Sequence, residues 1–399
     1  MNILPMKISK AFQIVSFLVA ATVLSGCMMG ASGGKPKDQV IYQYVYPEPP
    51  DDPRFFFERT ITSSADVETF SEMDKLRMSL TGEKRTGEGM AKPYGVAVHH
   101  GRVFVGDTVR QMVMVFDIPK KKFFMIGREE EDGVGKLHRP MGLEVDDAGN
   151  LYVLDANAKH IVIYDRNGKF LRNVGNPNDI SRPAGLGVTG DGTRLYAVDI
   201  GGSSTDNHRV LVYDALSGER LPDIGKRGKE NGEFNLPRDA VVAPDGSLYV
   251  VDGGNFRVQK FSGDGKFIST WGSIGRQRGQ FSRPKEAAVD NEGNIYVVDA
   301  AFGNIQIFNS EGALLMSIGE RANIGGPGRY SLPSGVAVDD DGRLYVVDQF
   351  FRKVDVYRPA TIEEKEGYSL GSEAGNIDEE SVPSATSIID QGSPATEVE

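Results

Sequence analysis

The stretch LYVVD occupies Leu248–Asp252 and recurs unchanged at Leu344–Asp348, with IYVVD at Ile295–Asp299 between them. Aligning the chain on it recovers three earlier copies: VFVGD ending at Asp107, LYVLD at Asp155 and LYAVD at Asp199. The six copies lie 48, 44, 53, 47 and 49 residues apart. A proline stands 14 to 16 residues before each, at Pro93, Pro140, Pro183, Pro237, Pro284 and Pro333. One supersecondary unit is therefore written six times.

Within a unit the pattern alternates with period two. EAAVDNEGN passes through a hairpin turn into IYVVD, and NIQIF and ALLMSIG follow. Four short strands joined by Gly- and Asn-rich turns make an up-and-down sheet. Such a sheet cannot bury both faces alone, whereas a ring of sheets can. The predicted fold is all-β, a six-bladed β-propeller of four-stranded blades.

Ring closure is written in the sequence as well. Five units end their fourth strand on glycine, at Gly127, Gly175, Gly225, Gly272 and Gly319, but the sixth stops at VDVYRP. FERTI at 57–61 matches FLRNV at 170–174 and FISTW at 267–271, so Phe55–Ile61 is expected to complete the last blade. Between that strand and the first blade, Val67, Phe70, Met73, Leu76 and Leu80 recur at helical spacing after the potential cap Ser64, which predicts a short helix packed on the disc.

The units GQFSRPKEAAVDNEGNIYVVD, GRYSLPSGVAVDDDGRLYVVD and GEFNLPRDAVVAPDGSLYVVD resemble the NHL repeat, roughly G-x-F-x-x-P-x-G-[IV]-A-V-D-x-x-G-N-[IL]-Y-V-x-D. The resemblance covers about residues 92–359 plus the closing strand, and it implies the propeller. For function it implies less, because such propellers serve as binding scaffolds, sensor domains and occasionally enzymes. The aspartate ending each copy is expected to accept backbone hydrogen bonds in the following turn.

The 399 residues carry 39% hydrophobic and 25% charged side chains and 48 glycines, which suits a globular, turn-rich body. Net charge is −11, and residues 361–399 hold ten acids against the single base Lys365, so the tail carries −9 of it. That tail reads as disordered, and the body is left without the charge excess that a nucleic-acid partner would need. Lys7 and Lys10 precede an apolar run from Ala11 to Leu24, too short to span a bilayer and suited to an export signal. It ends in Leu24-Ser25-Gly26-Cys27, which resembles the lipobox of bacterial lipoproteins, with Cys27 the lipidated residue. The resemblance implies acyl chains on Cys27, a bacterial cell-envelope location, and sorting to the outer membrane because Met28 is not aspartate. The expected organisation is a signal peptide at 1–26, a tether at 27–53, the closing strand and helix at 54–91, the propeller at 92–360 and the acidic tail at 361–399.

Propeller topology sorts the connections. Links from strand four to the next strand one, and from strand two to strand three, share one face of the disc, here called the loop face. Two residues past each repeat proline stand Gly95, Gly142, Gly185 and Gly335, but also Asp239 and Glu286, preceded by Arg238 and Lys285. These four charges form either surface ion pairs or a site for a polar ligand or cation at the channel mouth, with Tyr94, Met141 and His208 as further contacts. His138, His160 and His208 share that face and are the candidate metal ligands, while His99 and His100 fall on the opposite face in a solvated turn. The third unit carries an insertion, Ile200–His208.

No G-x-S-x-G, H-E-x-x-H, P-loop, C-x-x-C-H or dinucleotide motif appears where it could operate. Three readings stay open. The first is an exported, lipid-anchored scaffold without a cofactor, binding a protein, peptide or glycan. The second is a lyase or lactonase-like hydrolase needing a divalent cation at the channel, for which Asp239 and Glu286 offer too few hard ligands. The third is an assembly factor of an envelope electron-transfer or secretion complex.

Overall fold

The computed structural model describes residues 44–363 and Tyr368, apart from 70, 83–85, 129–132 and 203–204. The signal peptide, Cys27, most of the tether and most of the acidic tail lie outside the described residues. The strands form six antiparallel sheets, the innermost strand of each starting on its repeat proline, and Glu320–Arg321 and Arg329–Tyr330 add a two-stranded parallel one. Proline suits the first position of a strand because it has no N–H to place in the ladder.

The fourth blade shows the plan: Pro237–Val242 is innermost, followed outward by Leu248–Asp252, Arg257–Phe261 and Phe267–Trp271. Apolar side chains collect in six clusters, one at each junction between neighbouring blades. The repeated pentapeptide explains this arrangement. Leu248 and Val250 enter the cluster shared with blade three, whereas Tyr249 and Val251 enter the one shared with blade five. Strand two is thus buried on both faces, and each such Val or Leu contributes about 1.5–3 kcal/mol.

The ring closes as expected. Phe55–Ile61 pairs antiparallel with Lys353–Pro359, with Ile61 opposite Val354 and Phe57 opposite Tyr357. An ion pair and a hydrogen bond to a carboxylate join this seam. Arg343, fully buried, donates from Nε to Glu58 Oε2 at 2.9 Å, and Thr60 Oγ1 donates to Asp355 Oδ1 at 2.7 Å.

Three boundaries differ from expectation. Val45–Tyr46, placed in the tether, pairs with Phe55 and Phe56 as a fifth strand of the last blade. Tyr368, placed in the tail, sits with its ring 4.2 Å from the Arg343 guanidinium, and its backbone N–H donates to Asp341 Oδ2. The predicted helix is two pieces, a 3-10 turn at Ser64–Asp66 and an α-helix at Glu72–Thr81 capped by Ser71 rather than Ser64. No residue of that helix is buried, and Met73, Leu76 and Leu80 face solvent. Its first turn is fixed by local groups instead: Ser71 accepts the Asp74 N–H, and Gly82 ends the helix at φ 69°.

Candidate functional site

The loop face is organised by the six strand-two aspartates, every one fully buried. Asp155 is representative. Its Oδ1 accepts the N–H of Asn157 and Ala158 in the following turn, as expected, and its Oδ2 accepts the N–H of His138 in the loop entering the same blade. Arg139 N–H donates to it as well, at 3.1 Å. Asp107 and Asp299 repeat the arrangement, so these aspartates also tie down the residues just before the prolines, which the sequence reading left out.

Those pre-proline residues ring the channel mouth. Four are basic and exposed: Lys92, Arg139, Arg182 and Arg283. Arg238 and Lys285 stand beside them, half-buried. Some arginines elsewhere find carboxylates, as in Arg102–Asp117, Arg209–Asp223 and Arg257–Asp252, and others find carbonyls, as Arg172 does at Ala215. The six bases of the mouth have no ion pair among the described residues. Burial and the neighbouring guanidinium of Arg283 push the Lys285 ammonium down to about 8, and burial holds Arg238 below its ordinary value. A recess of about 190 Å³ opens here, lined by Tyr94, Arg238, Arg283, Pro284, Lys285, Leu332 and Gln349. The Lys285 ammonium lies 5.8 Å from the centre of the Tyr94 ring, whose hydroxyl burial pushes up.

Asp239 and Glu286 are therefore not surface ion pairs with Arg238 and Lys285. Adjacent residues of a strand point opposite ways, and both carboxylates are buried in the channel, 6% and 8% exposed. Asp239 bridges blades, accepting the Ala287 N–H at 2.9 Å. Its approach requires Gly185, where a Cβ would lie 2.2 Å from Asp239 Oδ1. Burial pushes Asp239 up to about 7. Burial, then Asp239, drives Glu286 well above the usual carboxylate range, and its Oε1 has no hydrogen-bond partner.

A third channel acid, Glu144, was not anticipated. It stands four residues past Pro140 rather than two, and burial together with Asp239 raises it far as well. Glu144 is enclosed by protein, yet part of its surface stays accessible because it lines a wider cavity of about 730 Å³ opening on the opposite face. That cavity has valine and alanine walls, includes Asp147, Asp191 and Asp340, and among the described residues is lined by no lysine or arginine. His99 and His100, expected in a solvated turn, belong to its rim: His99 Nε2 lies 3.3 Å from the Asp147 carbonyl, and His100 Nδ1 lies 2.7 Å from Asp340 Oδ2.

The remaining candidates do not assemble. His208 is buried in the insertion, where its Nδ1 accepts the Leu236 N–H, and burial lowers its pKa. His160 is lowered by burial too, and His138 is exposed, with Nδ1 3.8 Å from Asp155 Oδ2. Among the described residues, no three His, Cys, Asp or Glu side chains are grouped to hold a metal ion. Met141 is half-buried in the innermost strand of blade two, packs its carbonyl against Gly95 and does not line the recess.

Comparison with known proteins agrees with this architecture. Residues 234–261, from blade four, match the NHL repeat family model. A structural-genomics protein of unknown function from Bacteroides thetaiotaomicron superposes with a TM-score of 0.56 at 15% identity, over 75% of each chain. A gluconolactonase from Xanthomonas campestris does so with a TM-score of 0.51 at 17% identity, over 68% of this chain and 86% of the other. At such identities the likeness concerns the fold alone. The chain is a six-bladed β-propeller that carries an NHL repeat.

Proposed function

We propose that this propeller is a binding scaffold that receives a protein, peptide or glycan partner on its loop face, around the channel mouth. The observation that carries the reading is the set of six bases at that mouth, contributed by five blades, that have no carboxylate partner among the described residues. Cations left unpaired beside a recess hold binding energy that the fold itself does not use. The channel acids do not suit catalysis equally well, since Asp239 is engaged with a backbone N–H of the next blade. The segment Leu24–Cys27 supports a cell-envelope setting, with the scaffold held by acyl chains on Cys27.

Capture of partners from envelope extracts tests the reading by comparing the two faces. The double variant Arg139→Glu/Arg182→Glu should lose at least tenfold of a captured partner, while Asp147→Lys on the opposite face should retain it. Equal capture by all three proteins would overturn a loop-face scaffold.

A further inference from the structure

We infer that the recess between Tyr94, Arg238, Arg283 and Lys285 is a site for a single carboxylate carried on a short apolar group. The inference rests on the reading of the loop face as the binding face, and it names the chemical group that this face selects.

Charge gives the first step. Three of the lining side chains are cationic, and none of the three has an acidic partner among the described residues. Two of them, Arg238 and Lys285, are half-buried, so they have given up part of their hydration without an ion pair in return. An anion seated among them restores what burial removed. A guanidinium can offer two parallel N–H donors to the two oxygens of a carboxylate, and an ammonium adds a point charge from the side.

Size and lining narrow the class. About 190 Å³ equals roughly six water volumes, enough for a carboxylate with a few carbons and too little for a long chain to enter whole. Tyr94, Pro284 and Leu332 supply apolar wall, and Gln349 one further polar group. A bare inorganic anion would leave that wall unused. The carboxyls of Asp239 and Glu286 belong to the same innermost strands as Arg238 and Lys285, and both act electrostatically on Tyr94. Burial holds both towards the protonated form, so the choice of a carboxylate over phosphate rests on the apolar wall, which phosphate would leave unfilled.

Lys285 makes the site sensitive to pH in a predictable direction. The groups that set its charge are Arg283 and Arg238, which lower its affinity for a proton, and Glu286 and Asp348, which raise it, with the Tyr94 ring alongside. An anion binds the protonated amine, so affinity is full below about 8 and declines as pH rises through that value.

Calorimetric titration of the full chain with butyrate, inorganic phosphate and butylammonium tests the assignment. Butyrate is expected to bind, with phosphate at least fivefold weaker and butylammonium silent. Lys285→Met/Arg238→Gln should weaken butyrate at least tenfold while melting within a few degrees of wild type, since neither side chain holds an ion pair among the described residues. From pH 7 to 9 the wild-type affinity should fall several-fold. Lys285→Arg should keep butyrate binding and lose that fall, a response that a merely structural role for Lys285 would not produce. Absence of butyrate binding, tighter binding of phosphate, or indifference to the double variant would overturn the site. If butyrate fails while Arg139→Glu/Arg182→Glu still abolishes partner capture, the carboxylate assignment falls and the scaffold reading stands.

Discussion

Two populations of buried carboxylate occupy this propeller, at the ends of the second strands and inside the channel, and the fold treats them differently. Asp155 is fully buried and accepts N–H groups from His138, Arg139, Asn157 and Ala158. Glu286 is nearly as buried, yet its Oε1 accepts nothing and its carboxyl holds its proton far above the usual range. A third solution appears at the ring seam, where Glu58 meets the guanidinium of Arg343. Depth alone therefore does not decide what a buried acid does; the supply of N–H donors or cations does. Where that supply is incomplete, as at Glu286 Oε1, the acid sits beneath a mouth of bases that have no ion pair among the described residues, and that is where binding is proposed.

The comparison can be broken most severely at the seam. Deleting residues 50–62 removes Glu58 from Arg343, which keeps its ion pair with Asp341, and exposes Lys353–Pro359 as an edge. Losing the burial of Phe55 and Ile61 alone costs about 3–6 kcal/mol, comparable with the whole stability of many domains. Calorimetry should show either no folded state or a melting temperature lower by more than about 10 °C, and an unchanged melt would mean that the ring closes some other way.

Asp155→Ala comes next, with an expected cost of about 3–5 kcal/mol in urea unfolding, because it leaves several buried N–H groups without an acceptor. A cost below about 1 kcal/mol would show that these aspartates are not the ties described here. Arg343→Met should cost about 3 kcal/mol, at the lower end for a broken buried pair, because the Tyr368 hydroxyl still reaches Glu58 at 3.3 Å.

The mildest effect concerns Asp239 and has a defined sign. Its folded-state pKa of about 7 lies above the ordinary 3.8, so the native state binds the extra proton and stability falls as pH rises between those values. Asp239→Asn removes that loss and keeps one acceptor for the Ala287 N–H. Relative to wild type the variant should gain about 2 kcal/mol on going from pH 4 to pH 8, below the ceiling of roughly 4 that the shift alone implies, because Glu286 and Glu144 share the repulsion. Parallel stability profiles across that range would contradict a strained channel carboxylate.

The repeat made the fold readable. Leu248 to Asp252 alternates between two junctions, each innermost strand begins on its proline, and the missing outer strand was recognisable in FERTI. The site was only half readable. Asp239 and Glu286 stood out where the other units have glycine, but whether they met Arg238 and Lys285 was a question of side-chain direction. The basic residue before Pro93, Pro140, Pro183 and Pro284 was a visible signal that the sequence reading did not use. His208 looked available because its loop lies on the loop face, yet a backbone N–H from Leu236 claims its ring.

The amino-acid order by itself determined the number of blades, the strand order within each and the chain end that closes the ring, because period-two alternation and a fixed turn chemistry are local properties that act within a few residues. Only the tertiary structure decided the charge of each end of the channel, basic at the loop face and acidic at the other. That quantity sums single side chains from blades some 44 to 53 residues apart, each weighted by its depth and its partners, and no local pattern records such a sum.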